Sequence, residues 1–328
     1  MRILTFLFLI CCTPLFAQLP ITEEQFNARI KPGSVLPEKL LSTRTAVFYN
    51  YLFTAKELEM AQSYFQRSGI DAVIFLESDL VIAGRDVCVA TAQYLNSREI
   101  SNLIFLKKRD QQFSLTLVEY NRKANFVEEG QASWSSEDRV FEELVRRLYL
   151  ASASGLKREN FLINDFPETD ATINAIDGRR NEFYAVDLKV DALAVPKFND
   201  PEKDRELEEI MKSYPFKFTF TDPNLSEADL RKQGFLYVLR FVQARAKVAK
   251  RLLNYDMTKS ESALVSITYP GTEPQLKNIS ANEQVFKFYF KHIESQNVFL
   301  GTKWDAETTW QQALVNQIKG YKIEFKIN

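Results

Sequence analysis

The sequence predicts an α/β protein made of two tandem, similar units of β-α-β-α-β-β-β-α order, with mixed sheets flanked by helices. Three observations predict it. Strand-period and helix-period patterns alternate along the chain. The same order of elements recurs in its second half. Trp134-Ser-Ser-Glu137 and Trp304-Asp-Ala-Glu307 each lead into a helix-period segment at matching places in the two halves. A length of 328 residues suits about two domains.

Residues 44–151 form the first expected unit. Thr45 to Asn50 is a short apolar, β-rich run. Thr54 to Arg67 reads as a helix: Thr54 caps it, Glu57 completes a capping box, and Ser68-Gly69 ends it. Ile70 to Leu76 is apolar on both faces, as a buried strand is. Arg85 to Leu95 reads as a helix, and Leu103 to Leu106 and Phe113 to Tyr120 as strands. Asn125 to Trp134 has a weaker strand pattern. Ser136 to Leu150 is an amphipathic helix with Val140, Leu144, Val145 and Leu148 inward.

Residues 152–214 read as a connection. Ala151 to Gly155 is expected to be a flexible junction, Ile173 to Ile176 and Phe183 to Val190 a hairpin about Asp177-Gly178, and Asp200 to Lys212 a helix started by Pro201. Residues 215–328 form the second unit. Its strands are expected at Phe216 to Thr221, Phe235 to Val242, Ala263 to Tyr269, Val285 to His292 and Asn297 to Trp304, with a closing strand at Lys322 to Ile327. Its helices are expected at Ser226 to Gln233, Ala244 to Tyr255 and Asp305 to Tyr321. In this alignment Phe216 to Thr221 answers to Thr45 to Asn50, and Gly234 to Gly69. Residues 18–43 supply a short helix at Thr22 to Ile30 and a Pro-containing connection.

Counting excludes several chemistries. The 10 glycines lie at least 15 residues apart, so neither a dinucleotide fingerprint nor a Walker A loop is present. The single His forbids any site with two His ligands. With 42 basic and 43 acidic residues and no block of like charge, nothing points to nucleic acid.

Residues 1–17 read as a secretory signal peptide: Met1-Arg2, an apolar run from Ile3 to Phe16, then small Ala17. This predicts a periplasmic or secreted protein with no transmembrane span in its mature form. A lipoprotein cut before Cys12 is the alternative. Cleavage after Ala17 removes Cys11 and Cys12 and leaves Cys88 without an internal disulfide partner.

Glu77, Asp79 and Asp86 follow the strand Ile70 to Leu76. Carboxylates beyond the carboxyl end of a strand can hold Mg²⁺ and polarise a phosphoryl group. The plainer reading makes Asp86 a helix cap and the others solvated loop charges. The second unit has Gln243 and Arg245 at that place, with no carboxylate. Ser154 and Lys157 fit a serine-lysine pattern, but no Lys-Thr-Gly follows. Cys88 with His292 is a conceivable nucleophile pair, against which Cys88 sits on the inner face of a helix. Trp134, Trp304 and Trp310 read as core. In the strand Val285 to His292, Phe286, Phe288 and Phe290 share one face. Tyr289 between Lys287 and Lys291 is left on the other, as an interaction surface or a solvated one.

The segments GIDAVIFLESDLVIAGRDV (69–87) and NVFLGTKWDAETTWQQALVNQIKGY (297–321), with the signal, resemble uncharacterised exported bacterial proteins of about this size. Some of these carry a generic NTPase label, which the glycine spacing here does not support, and the resemblance implies no site residue. Three functional readings follow. The first is a non-enzymatic binding or scaffold protein of the bacterial envelope with a protein partner and no cofactor. The second is a Mg²⁺-dependent phosphate-ester or nucleotide hydrolase using Glu77, Asp79 and Asp86. The third is small-ligand binding in a cleft between the units.

Overall fold

A computed structural model describes residues 23–256, 263–271 and 273–327. Residues 1–17, read above as a signal peptide, and Cys12 of the alternative cleavage lie outside the described residues. Among the described residues the fold is mixed α/β with eight helices and several sheets.

The described chain opens with α1 (Glu23–Ala28) and β1 (Ile30–Lys31). The first large sheet follows: β2 (Arg44–Tyr49), α2 (Ala55–Ser68), β3 (Asp71–Glu77), α3 (Arg85–Ser97), β4 (Ile100–Arg109) and β5 (Gln112–Glu119). Then come β6 (Gln131–Ala132), which pairs with β1, β7 (Trp134–Asp138) and α4 (Phe141–Gly155). The expected capping box at Thr54 and Glu57 is present, and Gly69 caps α2 in the left-handed region. Strand order is β3-β2-β4-β5-β7; the first three strands are parallel and the last two antiparallel. Helical crossovers supply the parallel pairs, and the turn at Asp110-Gln111 supplies the first antiparallel one.

The second large sheet uses β8 (Arg180–Asn181), β9 (Leu193–Pro196), β10 (Phe218–Thr221), β11 (Tyr237–Arg245), β14 (Gln284–His292) and β15 (Val298–Phe299), in the order β10-β9-β11-β14-β15-β8. Its helices are α5 (Pro201–Met211), α6 (Glu227–Lys232) and α8 (Trp310–Glu324). Helix α7 (Ala246–Leu252) and the hairpin β12 (Ala263–Thr268) and β13 (Gln275–Ser280) stand apart from that sheet, between β11 and β14.

Read by position, β9 holds the place in its sheet that β2 holds in the first. The chain leaves each for a parallel neighbour on one side, then returns to a parallel neighbour on the other and continues antiparallel. The second sheet therefore begins before residue 215, inside the expected connection. Phe218–Thr221 is an edge strand in the place of β3, not of β2. Gly69 and Gly234 both follow helices, but they precede strands in different positions.

Other expectations change for physical reasons. No hairpin forms at 173–190: Val186–Lys189 is a 3₁₀ turn, and the alternation read there ends in the short strand β9. Ala151 to Gly155 continues α4 and is not a junction. Val140 precedes α4 and is 54% exposed, because β7 takes up the residues before it; Phe141 is buried instead. Lys322–Glu324 finishes α8, so no closing strand forms there.

Each sheet buries both faces. In the first, Val47, Phe75, Ile104 and Leu106 face the paired helices α2 and α4, while Ala46, Phe48, Ile74 and Phe105 face the other way. In the second, Leu239, Phe288 and Phe290 face α8, while Val242, Val285 and Tyr289 face the other way. Those two inner faces meet in one continuous core with α3, α7 and the β12–β13 hairpin. Trp134 packs on the α2–α4 side, whereas Trp304 packs edge-on to Tyr255 in the shared core. The two tryptophans, alike in sequence, thus serve different layers.

Candidate functional site

In open α/β sheets, ligands bind beyond the carboxyl ends of the strands, where the chain switches sides. Here the two sheets bring those ends against each other, and the junction is charged.

The strand β3 ends at Glu77, and a 3₁₀ turn, Ser78–Leu80, presents Asp79. Both carboxylates engage one guanidinium, that of Arg245 at the end of β11. Its Nε donates to Asp79 Oδ2 at 2.5 Å, its Nη2 donates to Asp79 Oδ1 at 3.1 Å, and Nη2 also pairs with Glu77. Arg245 is buried and stacks on the Tyr51 ring, 4.3 Å from its centre. Burial alone would lower its pKa, but Asp79 and Glu77 hold the guanidinium above its ordinary value.

Asp86 lies elsewhere in the junction, in the first turn of α3. It is not a cap: Gly84 occupies the cap position. Its Oδ2 accepts a hydrogen bond from Tyr289 Oη at 2.7 Å. Its Oδ1 lies 3.3 Å from Arg240 Nε and 3.4 Å from Lys291 Nζ. Glu227 completes the set, 3.3 Å from Arg240 Nη2 and 2.9 Å from Lys291 Nζ. Burial works to raise the Asp86 carboxyl, but Arg240 and Lys291 overcome it and hold the pKa below the ordinary carboxylate value. Glu227 is likewise lowered, with burial opposed chiefly by Lys291.

The structure thus joins Glu77 with Asp79 and sets Asp86 on a separate group of cations. Among the described residues, no three His, Cys, Asp or Glu side chains are gathered for a metal ion. The face of β14 expected as an interaction or solvated surface is buried: Lys287 is 1% exposed, Tyr289 1% and Lys291 7%. Lys287 donates to Leu300 O and Gln317 Oε1, each at 2.8 Å, and pairs with Asp305 at 2.6 Å.

The partners missed from sequence are Arg85, Glu227 and Arg240, and the role of Arg245. A signal existed. Arg240, Arg245, Lys287 and Lys291 interrupt strands that otherwise read as buried, and a charge in a buried strand needs a partner.

Arg85, the first residue of α3, reaches across to the second sheet. Its guanidinium donates to Leu225 O at 3.0 Å and to Pro223 O, just beyond the end of β10. Arg245 and Arg85 therefore cross the junction in opposite directions. Beside Arg85 lies a cavity of about 50 Å³ lined by Phe198, Leu207, Leu239, Phe241 and Phe288, with Arg240 and Lys197 also on its wall. Burial, with Arg240 nearby, depresses the Arg85 pKa to about 10. A wider groove of about 770 Å³ includes Thr43, Ser101 and Asn102, at the opposite, amino ends of β2 and β4.

The remaining candidates sit in ordinary surroundings. Cys88 is in the shared core, where burial pushes its thiol up to about 12. His292 ends β14, packs against Tyr237, and accepts a hydrogen bond from the Ser295 backbone at 3.1 Å. Ser154 Oγ donates to Ala151 O, while Lys157 pairs with Glu159. No described helix is long and apolar enough to cross a membrane.

Acid should loosen the junction. Asp86 and Glu227 have folded pKa values below their unfolded ones, so their stabilisation is present at neutral pH and is lost as pH falls through the folded values. Urea midpoints measured from pH 7 to pH 3 should fall steeply below about pH 4, and less steeply in Asp86→Asn.

The molecule is in class a mixed α/β protein whose two sheets share a core and a charged junction. No protein-family model, no curated protein and no solved structure matches the chain.

Proposed function

We propose that this is an exported, non-enzymatic binding protein, and that it seats a small ligand where its two α/β units meet. The observation that carries this is the Arg85 cavity. It lies at the carboxyl ends of β9 and β10 and against β11, where the second sheet switches sides, and the first unit contributes Arg85 to its lining. The carboxylates that hydrolysis would need are engaged by Arg245, Arg240 and Lys291, which argues for binding over metal-assisted chemistry.

We also infer that the two units arose by tandem duplication. Support comes from the matched strand order, from the pairing of α2 with α4 and of α5 with α8, and from the length of α4 and α8, each 15 residues with a buried aromatic at its start. On this reading the second unit begins at β9, and α7 with the β12–β13 hairpin is an insertion at the place of the Asp110-Gln111 turn.

A thermal-shift screen of neutral, cationic and anionic small molecules tests the binding proposal. At least one class should raise the melting temperature of the native protein and fail with Leu239→Phe, which fills the cavity. A flat screen against every class would overturn it. One observation favours a second reading, docking of an envelope protein. Phe161, Leu162 and Phe166 are 83%, 94% and 88% exposed on a segment that runs along the edge of β3.

A further inference from the structure

We propose that the protein pairs with a second copy of itself through β10, the edge strand of the second sheet, in an antiparallel register centred on Thr219.

The backbone supplies the first ground. β10 pairs with β9 on one side, and among the described residues no strand pairs with its other side. Lys217 O accepts from Leu193 N, and Thr221 O accepts from Lys197 N. Residues 217, 219 and 221 therefore turn their backbone groups towards β9. By the alternation of a parallel ladder, Phe218 and Phe220 turn theirs outward. Such an edge is a template for another strand, and neither a Pro nor a bulge interrupts residues 218–221 to blunt it.

The side chains supply the second ground. The Phe218 and Phe220 rings lie 5.3 Å apart between centres, and Tyr214 lies 6.0 Å from Phe218. These rings extend the core on the α8 side, yet Phe218 and Phe220 are only half-buried, because the sheet stops at this strand. On the opposite face Lys217 and Thr219 are exposed. A strand laid beside β10 would cover the aromatic row and engage the outward backbone groups.

The sequence chooses the occupant, because Phe216-Lys-Phe-Thr-Phe-Thr221 complements itself in one register. Centring an antiparallel pair on Thr219 sets Phe218 opposite Phe220 of the copy, Thr219 opposite Thr219, and Lys217 opposite Thr221. Aromatic pairs and Thr–Thr pairs are favourable across strands, and no like charges meet. The Phe–Phe pairs are then the hydrogen-bonded ones, and Thr219 forms the closer pair without such bonds. Centring on Lys217 would set two ammonium groups face to face. Centring on Phe218 would need Phe216, which lies in a bend before the strand. The contact is short, so the dimer belongs to the weak, reversible class.

The test is sedimentation velocity of the full chain from about 1 μM to about 1 mM. The native protein should shift from monomer towards dimer as concentration rises. Thr219 is exposed, so Thr219→Lys should keep the native circular dichroism while weakening dimerisation about tenfold or more, since it sets like charges opposite each other. Register is read by oxidative cross-linking, with the unsubstituted protein as the control for its own cysteines. Thr219→Cys should give a disulfide-linked dimer, because opposed residues lie within bonding reach, and Lys217→Cys should not. A native protein that stays monomeric throughout, a dimer undiminished in Thr219→Lys, or cross-linking by Lys217→Cys in place of Thr219→Cys would overturn the proposal. A monomer that captures a different protein through this edge, with capture lost in Thr219→Lys, would overturn it in favour of a foreign strand.

Discussion

Asp86→Ala is expected to lower the free energy of unfolding by about 3–5 kcal/mol, the range for removing one partner from a buried ion pair. Asp86 has 5% side-chain exposure and accepts from Tyr289 while facing Arg240 and Lys291. Its loss leaves two buried cations with Glu227 alone. Asp86→Asn keeps an acceptor for Tyr289 and should cost less. Removing a cation as well, in Asp86→Ala with Lys291→Met, should cost less than the sum of the two single changes, because the orphaned charge is gone. Urea unfolding of the native protein, the Asp86→Ala, Asp86→Asn and Lys291→Met variants and the double variant measures this. A loss under about 1 kcal/mol for Asp86→Ala, as for a solvated surface charge, would show that the junction charges do not hold the two sheets together.

The second large effect is expected at Gly84. Its φ is +122°, a region that L residues avoid, and a Cβ added there would run into the carbonyl oxygen of Phe241 in β11. The neighbouring Ala83 carbonyl accepts from the Gln243 amide at 3.0 Å, so the start of α3 lies directly on the backbone of the second sheet. Gly84→Ala combines backbone strain of about 1–3 kcal/mol with overpacking of a similar size. A total of about 3–5 kcal/mol is expected, together with displacement of Arg85 and loss of ligand binding. Gly130→Ala is the control: its φ is +68° and nothing lies within 4 Å of the added Cβ. That change should cost only the left-handed penalty, about 1–2 kcal/mol. Chemical denaturation of both variants separates close approach from φ alone, and equal losses would mean that the contact with β11 does not matter.

These two residues mark how far the sequence could be read. Periodicity located β2, β3, β4 and β5 of the first sheet and the amphipathic helices because burial imposes those periods directly, while β7 fell partly inside the segment read as the start of α4. The capping box at Thr54 and Glu57 was legible for the same reason: it is local chemistry. Pairing between distant strands was not. β9 is only four residues long and closes a longer alternating run, so its place inside the second sheet, between β10 and β11, left no local trace. The β12–β13 hairpin displaced that alignment further by separating β11 from β14. Of the candidate site, Glu77, Asp79 and Asp86 were found because carboxylates after a strand are a visible pattern. Their partners lie far along the chain in the second sheet, and only the topology brings them together. Lys287 and Lys291 read as solvent-facing because they alternate with Phe, yet the face they occupy is packed against the shared core.

Titration of the native protein with Mg²⁺ by calorimetry at neutral pH, beside Asp79→Ala, tests most directly whether the junction carboxylates are committed to cations of the second sheet. With Glu77 and Asp79 on Arg245, and Asp86 on Arg240 and Lys291, no saturable heat is expected from either protein. Saturable Mg²⁺ binding that disappears in Asp79→Ala would contradict that commitment and restore the hydrolase reading.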